Sequence, residues 1–520
     1  MFRERVSRFV TAVHGLSSGR PERIHPQARR LAVEALETRC LLSLSPAGPL
    51  RLVDPTSTTD QYGPATAIAA NGEYAVVWDE DDHILCQRFY PGGSPKGSQI
   101  TVNYSAPGDD AHQADIAMAN DGSFVVVWTE YDDPDGADPA VTTIKCKAYT
   151  EFGTVILGET VVPTTDADTK IQTHPTVSMS STGSRFVVAW NHYYAPGDPD
   201  IYFRVFDWTG AAWQGANYDN AAAATTRPES LADIALKNAG DYVITWSEGG
   251  ADGGDDDYDI FASGWYAAGS PRFSNVRVNT TDDGHQQLSP KIAMPDSMPW
   301  IVVAWEHEPA KGSRDVFAQK LTPMGVKWGG ERRVADASNF EILGGIAAGG
   351  DRWMVGYSQM ISSDNGYVKG NVYQHDPSGY DTKLGEFYFA GTRLGGSIAE
   401  LDGNENGQAA MTVQEHDGGD YTVLHRPFAS AAWNSKIGVR HGHKFYLDAD
   451  GTEGRGKSIY LDLVQSAGDS IQKGSVVLAH NSVNAAAQLT DYLGYMRDPA
   501  NFRESVNIII DDQGLEVAIK

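Results

Sequence analysis

The chain of 520 residues carries 68 acidic and 41 basic side chains, which gives a net charge of −27 at neutral pH. This charge argues against a nucleic acid or an anionic membrane as partner and favours cations or cationic surfaces. No apolar run approaches the roughly 18 residues that a membrane-spanning helix needs, so no transmembrane segment is expected.

Residues 1–43 are rich in arginine, whereas the rest of the chain is acidic. This contrast is typical of a targeting leader. Within it stand Leu36, Glu37, Arg39, Leu41, Leu42 and Ser43. At these positions the leader resembles the N-terminal LEPR-XLL sorting motif of planctomycete exported and surface proteins, with Thr38 in place of the usual proline. The resemblance implies export to the cell surface, periplasm or extracellular space. An ordinary amphipathic helix over residues 26–42 is the alternative.

Seven segments that follow share one pattern, an apolar strand with a tryptophan or its substitute at the fifth position. They are Tyr74–Glu80, Phe124–Glu130, Phe186–His192, Tyr242–Glu248, Ile301–His307, Trp353–Gln359 and Ala409–Glu415. The fifth positions recur every 50 to 62 residues. A repeat of this length with several strands predicts the blades of a propeller, because one small sheet cannot bury both of its faces alone. The tryptophans are expected to pack in the core rather than to stack on sugars.

Each repeat reads as four strands, A to D, with the shared segment as strand B. The short apolar runs expected to form strand A are Ala67–Ala69, Asp115–Ala117, Thr176–Ser178, Asp233–Ala235, Lys291–Ala293, Gly345–Ala347 and Ser397–Ala399. The seventh repeat lacks a strand D, and residues 50–54 form an unassigned strand at the other end. We therefore predict a mainly β fold, a seven-bladed β-propeller over residues 44–428 that is closed by an N-terminal strand. Cys86 and Cys146 occupy matching strand C positions and are expected to be buried hydrophobic residues.

The repeats, from about residue 50 to residue 428, resemble the Asp-Gly-Phe-Val-Val-x-Trp repeats of large secreted bacterial calcium-associated and surface proteins. The resemblance implies a propeller-like array and says little about biochemistry, because propellers include both enzymes and binding proteins.

The carboxylates are concentrated in the B–C and D–A loops, which emerge on the same face of a propeller. Clustered carboxylates repel one another unless a hard cation neutralises them, so Ca²⁺ is a candidate cofactor; a solvated acidic rim is the alternative. The candidate Ca²⁺ ligands are Asp132, Asp133, Asp135, Asp138, Asp198, Asp200, Asp255, Asp256, Asp257 and Asp259. Other acidic stretches, such as Asp79–Asp82, belong to the same face.

Residues 429–520 lack the repeat and are predicted to form a small α+β module, with strands near residues 437–447, 458–465, 475–480, 506–511 and 515–519 and a helix near residues 483–497. Residues 451–458 match the P-loop formula, but a strand rather than a helix follows them, so no nucleotide is expected. His441 and His443 lie on one face of a strand without a defined third metal ligand.

These patterns predict an extracellular or cell-surface protein that binds a protein or glycan partner through its acidic face, without catalysis. A hydrolase acting on extracellular glycans or phosphoesters through the same carboxylates is the second hypothesis. A structural component of an envelope or matrix is the third. We find neither a sialidase-type box nor a nucleophile elbow in the sequence.

Overall fold

The computed structural model describes residues 45–104, 110–132, 141–163, 171–195, 198–209, 213–215, 219–222, 227–249, 257–280, 284–310, 312–335, 340–362, 365–389, 396–417, 420–429, 444–447, 476–480, 504–508 and 515–519. The predicted leader with its sorting motif, the predicted C-terminal helix, the P-loop-like stretch and the histidine pair lie outside these residues. The chain divides into two compact units, of which the first lies within Leu41–Asn434 and the second includes the described strands after Ser435. In the part of the chain that the structure describes, no helix is long and apolar enough to cross a membrane.

The first unit begins with two short strands, β1 (Ser45–Pro46) and β2 (Arg51–Leu52). Blades one to three follow, with β3 (Tyr62–Ile68), β4 (Tyr74–Glu80), β5 (His83–Phe89) and β6 (Ile100–Thr101); β7 (Asp110–Met118), β8 (Phe124–Asp132), β9 (Val141–Tyr149) and β10 (Val155–Val161); and β11 (Ile171–Met179), β12 (Arg185–Ala195), β13 (Asp198–Trp208), β14 (Trp213–Gly215) and β15 (Asp219–Asn220). In each blade the strands pair antiparallel in chain order, and β15 pairs with β13.

Blades four to seven repeat this plan. Their strands are β16 (Glu229–Leu236), β17 (Tyr242–Gly249), β18 (Tyr258–Trp265) and β19 (Pro271–Arg277); β20 (Gln286–Ala293), β21 (Ile301–Ala310), β22 (Ser313–Leu321) and β23 (Lys327–Arg333); β24 (Phe340–Gly349), β25 (Arg352–Ser362), β26 (Asn365–Gln374) and β27 (Thr382–Tyr388); and β28 (Gly396–Gly403), β29 (Gln408–Asp417) and β30 (Asp420–Ala429). The seven sheets form a seven-bladed β-propeller, as predicted.

The ring is closed by the N-terminal strands, which complete blade seven. Arg51 and Leu52 of β2 pair with β30, and β1 pairs with the end of the same strand. The predicted closing strand is thus confirmed, whereas β1 was not expected. Closure of this kind leaves no unpaired terminal sheet edge at the junction between the first and last blades.

The tryptophans of the B strands hold the blades together from inside, as predicted. Trp78 and Trp128 are fully buried, and so are their counterparts in blades three to five. The indole N–H of Trp128 donates to Glu130 Oε2 at 2.6 Å, and that of Trp78 donates to Glu80 Oε2 at 2.8 Å. A buried N–H needs an acceptor, so the glutamate two residues after the tryptophan is held against the core in these blades. Cys86 is buried and unpaired, as is its counterpart in blade two.

Strand A lies innermost in each blade, and one of its positions faces the axis. This axial position pairs with the residue before the anchor and is occupied by Ala65, Asp115, Thr176, Asp233, Lys291, Gly345 and Glu400. The predicted strand A segments of all seven blades lie in these strands, except that Ala69 follows the end of β3. The axial position itself was not predicted, because the sequence pattern selected apolar residues, whereas a side chain that meets polar partners at the axis does not have to be apolar.

Charged side chains at the axis tie separate blades together. Lys291 Nζ lies 3.1 Å from Glu400 Oε1, an ion pair between blades five and seven. Asp115 Oδ2 accepts a hydrogen bond from the backbone N–H of Val177 at 2.8 Å, which satisfies an inner-edge donor of the next blade. Burial raises the pKa of Glu400 to about 7, although Lys291 opposes that shift.

Two faces result from this topology. The acidic face carries the B–C loops and the D–A connections; the hairpin face carries the A–B and C–D turns. On the hairpin face the A–B turns of alternate blades meet across the axis. Ser181 Oγ donates to Asp296 Oδ2 at 2.9 Å, and the N–H of Asp296 donates to Glu405 Oε1 at 2.6 Å. The axis is therefore bridged on the hairpin face.

The second unit contains a four-stranded sheet of β31 (Lys444–Leu447), β32 (Val476–His480), β33 (Glu504–Ile508) and β34 (Leu515–Ile519). Its order is β31-β32-β34-β33, with β31 and β32 parallel and the other pairs antiparallel. The last strand agrees with the predicted bounds, and the others lie within or close to them.

Candidate functional site

A cavity of about 500 Å³ opens on the acidic face at blade one. Its walls come from the segment before β3, the B–C turn of the same blade and the start of β7 in blade two. The lining residues are Thr58, Thr59, Asp60, Tyr62, Asp79, Glu80, Asp81, Asp82 and His112. Five of these nine side chains are carboxylates, so the cavity is strongly acidic.

The B–C turn of blade one is a two-residue hairpin turn, because Glu80 pairs with His83. Its central residues, Asp81 and Asp82, have φ values of 50° and 64°. A two-residue turn that matches the strand twist requires positive φ at both central positions, which aspartate tolerates better than most residues. The turn therefore brings two carboxylates to the cavity at the end of the anchor strand.

Glu80 organises the wall of the cavity. Its carboxylate accepts hydrogen bonds from Ser57 Oγ at 2.5 Å, Thr59 Oγ1 at 2.9 Å and Gln61 Nε2 at 2.9 Å, besides the bond from Trp78. Burial acts to raise the pKa of Glu80, but these hydrogen bonds lower it below its ordinary value. Glu80 is thus a satisfied, ionised carboxylate that holds the segment before β3 in place.

Asp79 has a different environment. Its side chain is buried, with 8% of the residue exposed, and Oδ2 accepts a hydrogen bond from the backbone N–H of Gln113 at 3.0 Å. Oδ1 has no hydrogen-bond partner among the described residues. Burial raises the pKa of Asp79 to about 6, although the backbone of Gln113 and Ala114 opposes that shift. A buried acceptor without a donor is costly, so the Asp79 carboxylate would gain from a donor or a positive charge in the cavity.

His112 stands beside Asp79 at the edge of the cavity. Its Nε2 lies 2.6 Å from Asp110 Oδ2, and its Nδ1 lies 3.9 Å from Asp79 Oδ2. Asp60 accepts a hydrogen bond from Tyr62 Oη at 2.9 Å. The cavity thus offers an unsatisfied buried acceptor, several carboxylates and two rings. It is suited to a cation that donates hydrogen bonds.

Of the predicted Ca²⁺ ligands, Asp200, Asp257 and Asp259 have described side chains, and none of these three lines the cavity. Asp133, Asp135, Asp138, Asp255 and Asp256 lie outside the described residues, and for Asp132 and Asp198 only the backbone is described. Asp257 is exposed and Asp200 is partly buried. Asp259 Oδ1 accepts hydrogen bonds from Arg277 and Asn279, both at 2.7 Å. In the described ranges no group of three His, Cys, Asp or Glu side chains has the spacing of a metal site. The Ca²⁺ sites stay a prediction.

Sequence reasoning named Asp79–Asp82 as acidic but did not bring them together with Asp60, Tyr62 and His112. The available signal was the shortness of the B–C turn in blade one, which keeps its carboxylates close to the strand ends. His112 lies three residues before the axial Asp115, at the point where strand A of the next blade enters the ring.

Comparison with known proteins finds no matching family model and no matching curated protein. Among solved structures, a protein of unknown function from Dyadobacter fermentans is 12% identical, with a TM-score of 0.43 over 73% of this chain and 98% of that one. The polysaccharide lyase Uly1 is 12% identical, with a TM-score of 0.47 over 71% and 90%. The Hadza microbial sialidase Hz136 is 10% identical, with a TM-score of 0.42 over 69% and 76%. Likenesses this distant do not bear on function, and the propeller assignment rests on the strand pairing.

Proposed function

We propose that this protein is a non-catalytic extracellular binding protein whose acidic cavity takes a cationic side chain of a partner protein. The observation that carries the proposal is the buried Oδ1 of Asp79, an acceptor without a donor among the described residues, in a cavity lined by carboxylates. A guanidinium or ammonium group would supply the missing donor and the compensating charge at once.

An organic cation suits the cavity better than a bare metal ion. Ca²⁺ requires six to eight oxygen ligands at about 2.3–2.6 Å, whereas this cavity has a volume of about 500 Å³. A planar guanidinium can bond to a carboxylate through two N–H groups. Ca²⁺ remains a candidate cofactor for the aspartate-rich loops of blades two to four.

Export is part of the proposal. The arginine-rich leader and its LEPR-XLL-like motif support delivery to the cell surface, the periplasm or the extracellular space. The net charge of −27 would attract cationic surfaces over a long range at low ionic strength.

The test is a calorimetric titration at pH 8 with a peptide of six arginines, for the wild type, Asp79→Asn and Asp351→Asn. Asp351 lies in the A–B turn of blade six, on the hairpin face, with half of its side chain exposed. Both variants remove one negative charge, so only the local effect differs. A hydrogen bond to a charged group contributes about 1.5–3 kcal/mol, so Asp79→Asn should weaken binding about 10- to 100-fold. Equal affinities for the two variants would overturn the proposal.

A hydrolase is the second candidate, and the pair of Asp79 and His112 favours it. A carboxyl group with a pKa of about 6 beside a histidine held by Asp110 resembles what general acid–base catalysis needs. Turnover of chromogenic glycosides or phosphoesters that is lost in both Asp79→Asn and His112→Gln would establish this candidate in place of the first. No observation favours a purely structural role over these two.

A further inference from the structure

The C–D turns of the propeller share a feature that the acidic face does not explain. In blades one, two, four, five and six, the segment between strands C and D exposes a large apolar side chain, and four of these five are aromatic. They are between 41% and 73% exposed, and they are Tyr90, Phe152, Tyr266, Met324 and Tyr380. Blade five also exposes Val326 in this segment. Single exposed apolar side chains are common on any surface, but their recurrence on one face of five blades marks a candidate binding surface.

The turns hold these side chains on a rigid frame. In five blades a glycine at the fourth position donates its N–H to the carbonyl of the first residue, as Gly93 does to Tyr90 at 2.8 Å. These glycines have φ values between 74° and 92°, a region that favours glycine. Neighbouring tips also touch, since Tyr266 Oη lies 3.8 Å from Met324 Sδ. A ligand would therefore meet a preorganised ring of contacts.

The turns themselves contain few charged residues, although the guanidinium of Arg272 lies 5.4 Å over the ring of Tyr266. In the five turns closed by glycine, residues 90–93, 150–153, 266–269, 322–325 and 376–379, the charged residues are Glu151 and Asp376. Asp376 accepts a hydrogen bond from the N–H of Ser378 within its own turn. A surface of this kind does not select a charged partner, in contrast to the acidic face.

We propose that the hairpin face binds a neutral polysaccharide that lies across several C–D tips. Aromatic rings pack on the apolar faces of sugar rings while the surrounding polar groups remain hydrated. Single contacts that recur in five blades, four of them aromatic, suit a polymer of repeating units better than a folded protein, which needs a continuous apolar patch. Each contact is weak alone, and several on one chain add up through a high effective concentration.

The test is electrophoresis of the native protein through gels that contain hydroxyethyl cellulose, galactomannan or arabinoxylan. The variants are Phe152→Ala, Tyr380→Ala and the triple variant that adds Tyr90→Ala. The matched control is Tyr388→Ala, because Tyr388 is 46% exposed but lies in β27 rather than in a turn. We expect at least one polysaccharide to retard the wild type and the control equally. Each single variant should bind that polysaccharide several-fold more weakly than the wild type, and the triple variant at least tenfold more weakly.

Three results would overturn the proposal: no retardation in any of the three gels, full retardation of the triple variant, or an equal loss in the control. Substitution of exposed side chains leaves the core intact, and an unchanged unfolding midpoint for each variant verifies this. Asp79→Asn should be retarded like the wild type, so failure of the cavity proposal and failure of this one are distinguishable.

Discussion

Replacement of Asp79 by asparagine should stabilise the propeller at alkaline pH, although it should weaken ligand binding. Burial raises the pKa of Asp79 from 3.8 to about 6. A pKa difference of one between the folded and unfolded states corresponds to about 1.4 kcal/mol, so the ionised carboxylate costs the native state about 3 kcal/mol at pH 8. Asparagine removes this cost, and its amide oxygen can still accept the hydrogen bond from the N–H of Gln113.

The sign of the effect follows from linkage. A carboxyl group whose pKa is raised on folding contributes stability below its unfolded pKa and loses that contribution as pH rises through the folded value. The gain in the free energy of unfolding caused by Asp79→Asn should therefore be largest at pH 8. It should be smaller by about 2–3 kcal/mol at pH 4. Urea unfolding followed by tryptophan fluorescence measures this difference, with Asp351→Asn as the control. A pH-independent difference would refute the reasoning.

Three further predictions concern the fold. Trp128→Phe should destabilise the protein by about 1.5–3 kcal/mol more than Trp300→Phe. Both tryptophans are fully buried, but among the described residues only the N–H of Trp128 has an acceptor, which is Glu130. Equal losses in urea unfolding would contradict this. A chain lacking residues 45–54 should unfold at lower urea and be cleaved faster by protease in blade seven, because β30 keeps β29 but loses β1 and β2 on its outer edge; unchanged proteolysis would argue against closure by these strands. Lys291→Met should lower the melting temperature at pH 8 more than at pH 5, because the axial carboxylates that surround it protonate as pH falls; an equal loss at both pH values would contradict this.

The blades and their closure could be predicted because the anchor strand is buried on both sides. Trp128 and its neighbours must be apolar at successive positions, and such a run is visible in a sequence. The axial position within strand A could not be predicted, because side chains at the inner edge meet polar partners as well as apolar ones. In blade seven Glu400 occupies the axial position, and no apolar pattern identifies a glutamate there.

The acidic character of the candidate site could be predicted, but its location could not. Glu80 reads in the sequence as one more acidic loop residue, yet four hydrogen bonds make it part of the structure. Asp79 is distinguished only by burial, which the next blade provides through Gln113. Contacts between blades, and not spacing along the chain, therefore decide which carboxylate is left to bind a ligand.

The most direct measurement is a crystal structure of the protein soaked in guanidinium at pH 8, where Asp79 is ionised. We expect a planar ion in the cavity of blade one, with an N–H group about 2.9 Å from a carboxylate oxygen of Asp79. A cavity that holds only water, with guanidinium bound elsewhere on the acidic face, would contradict it.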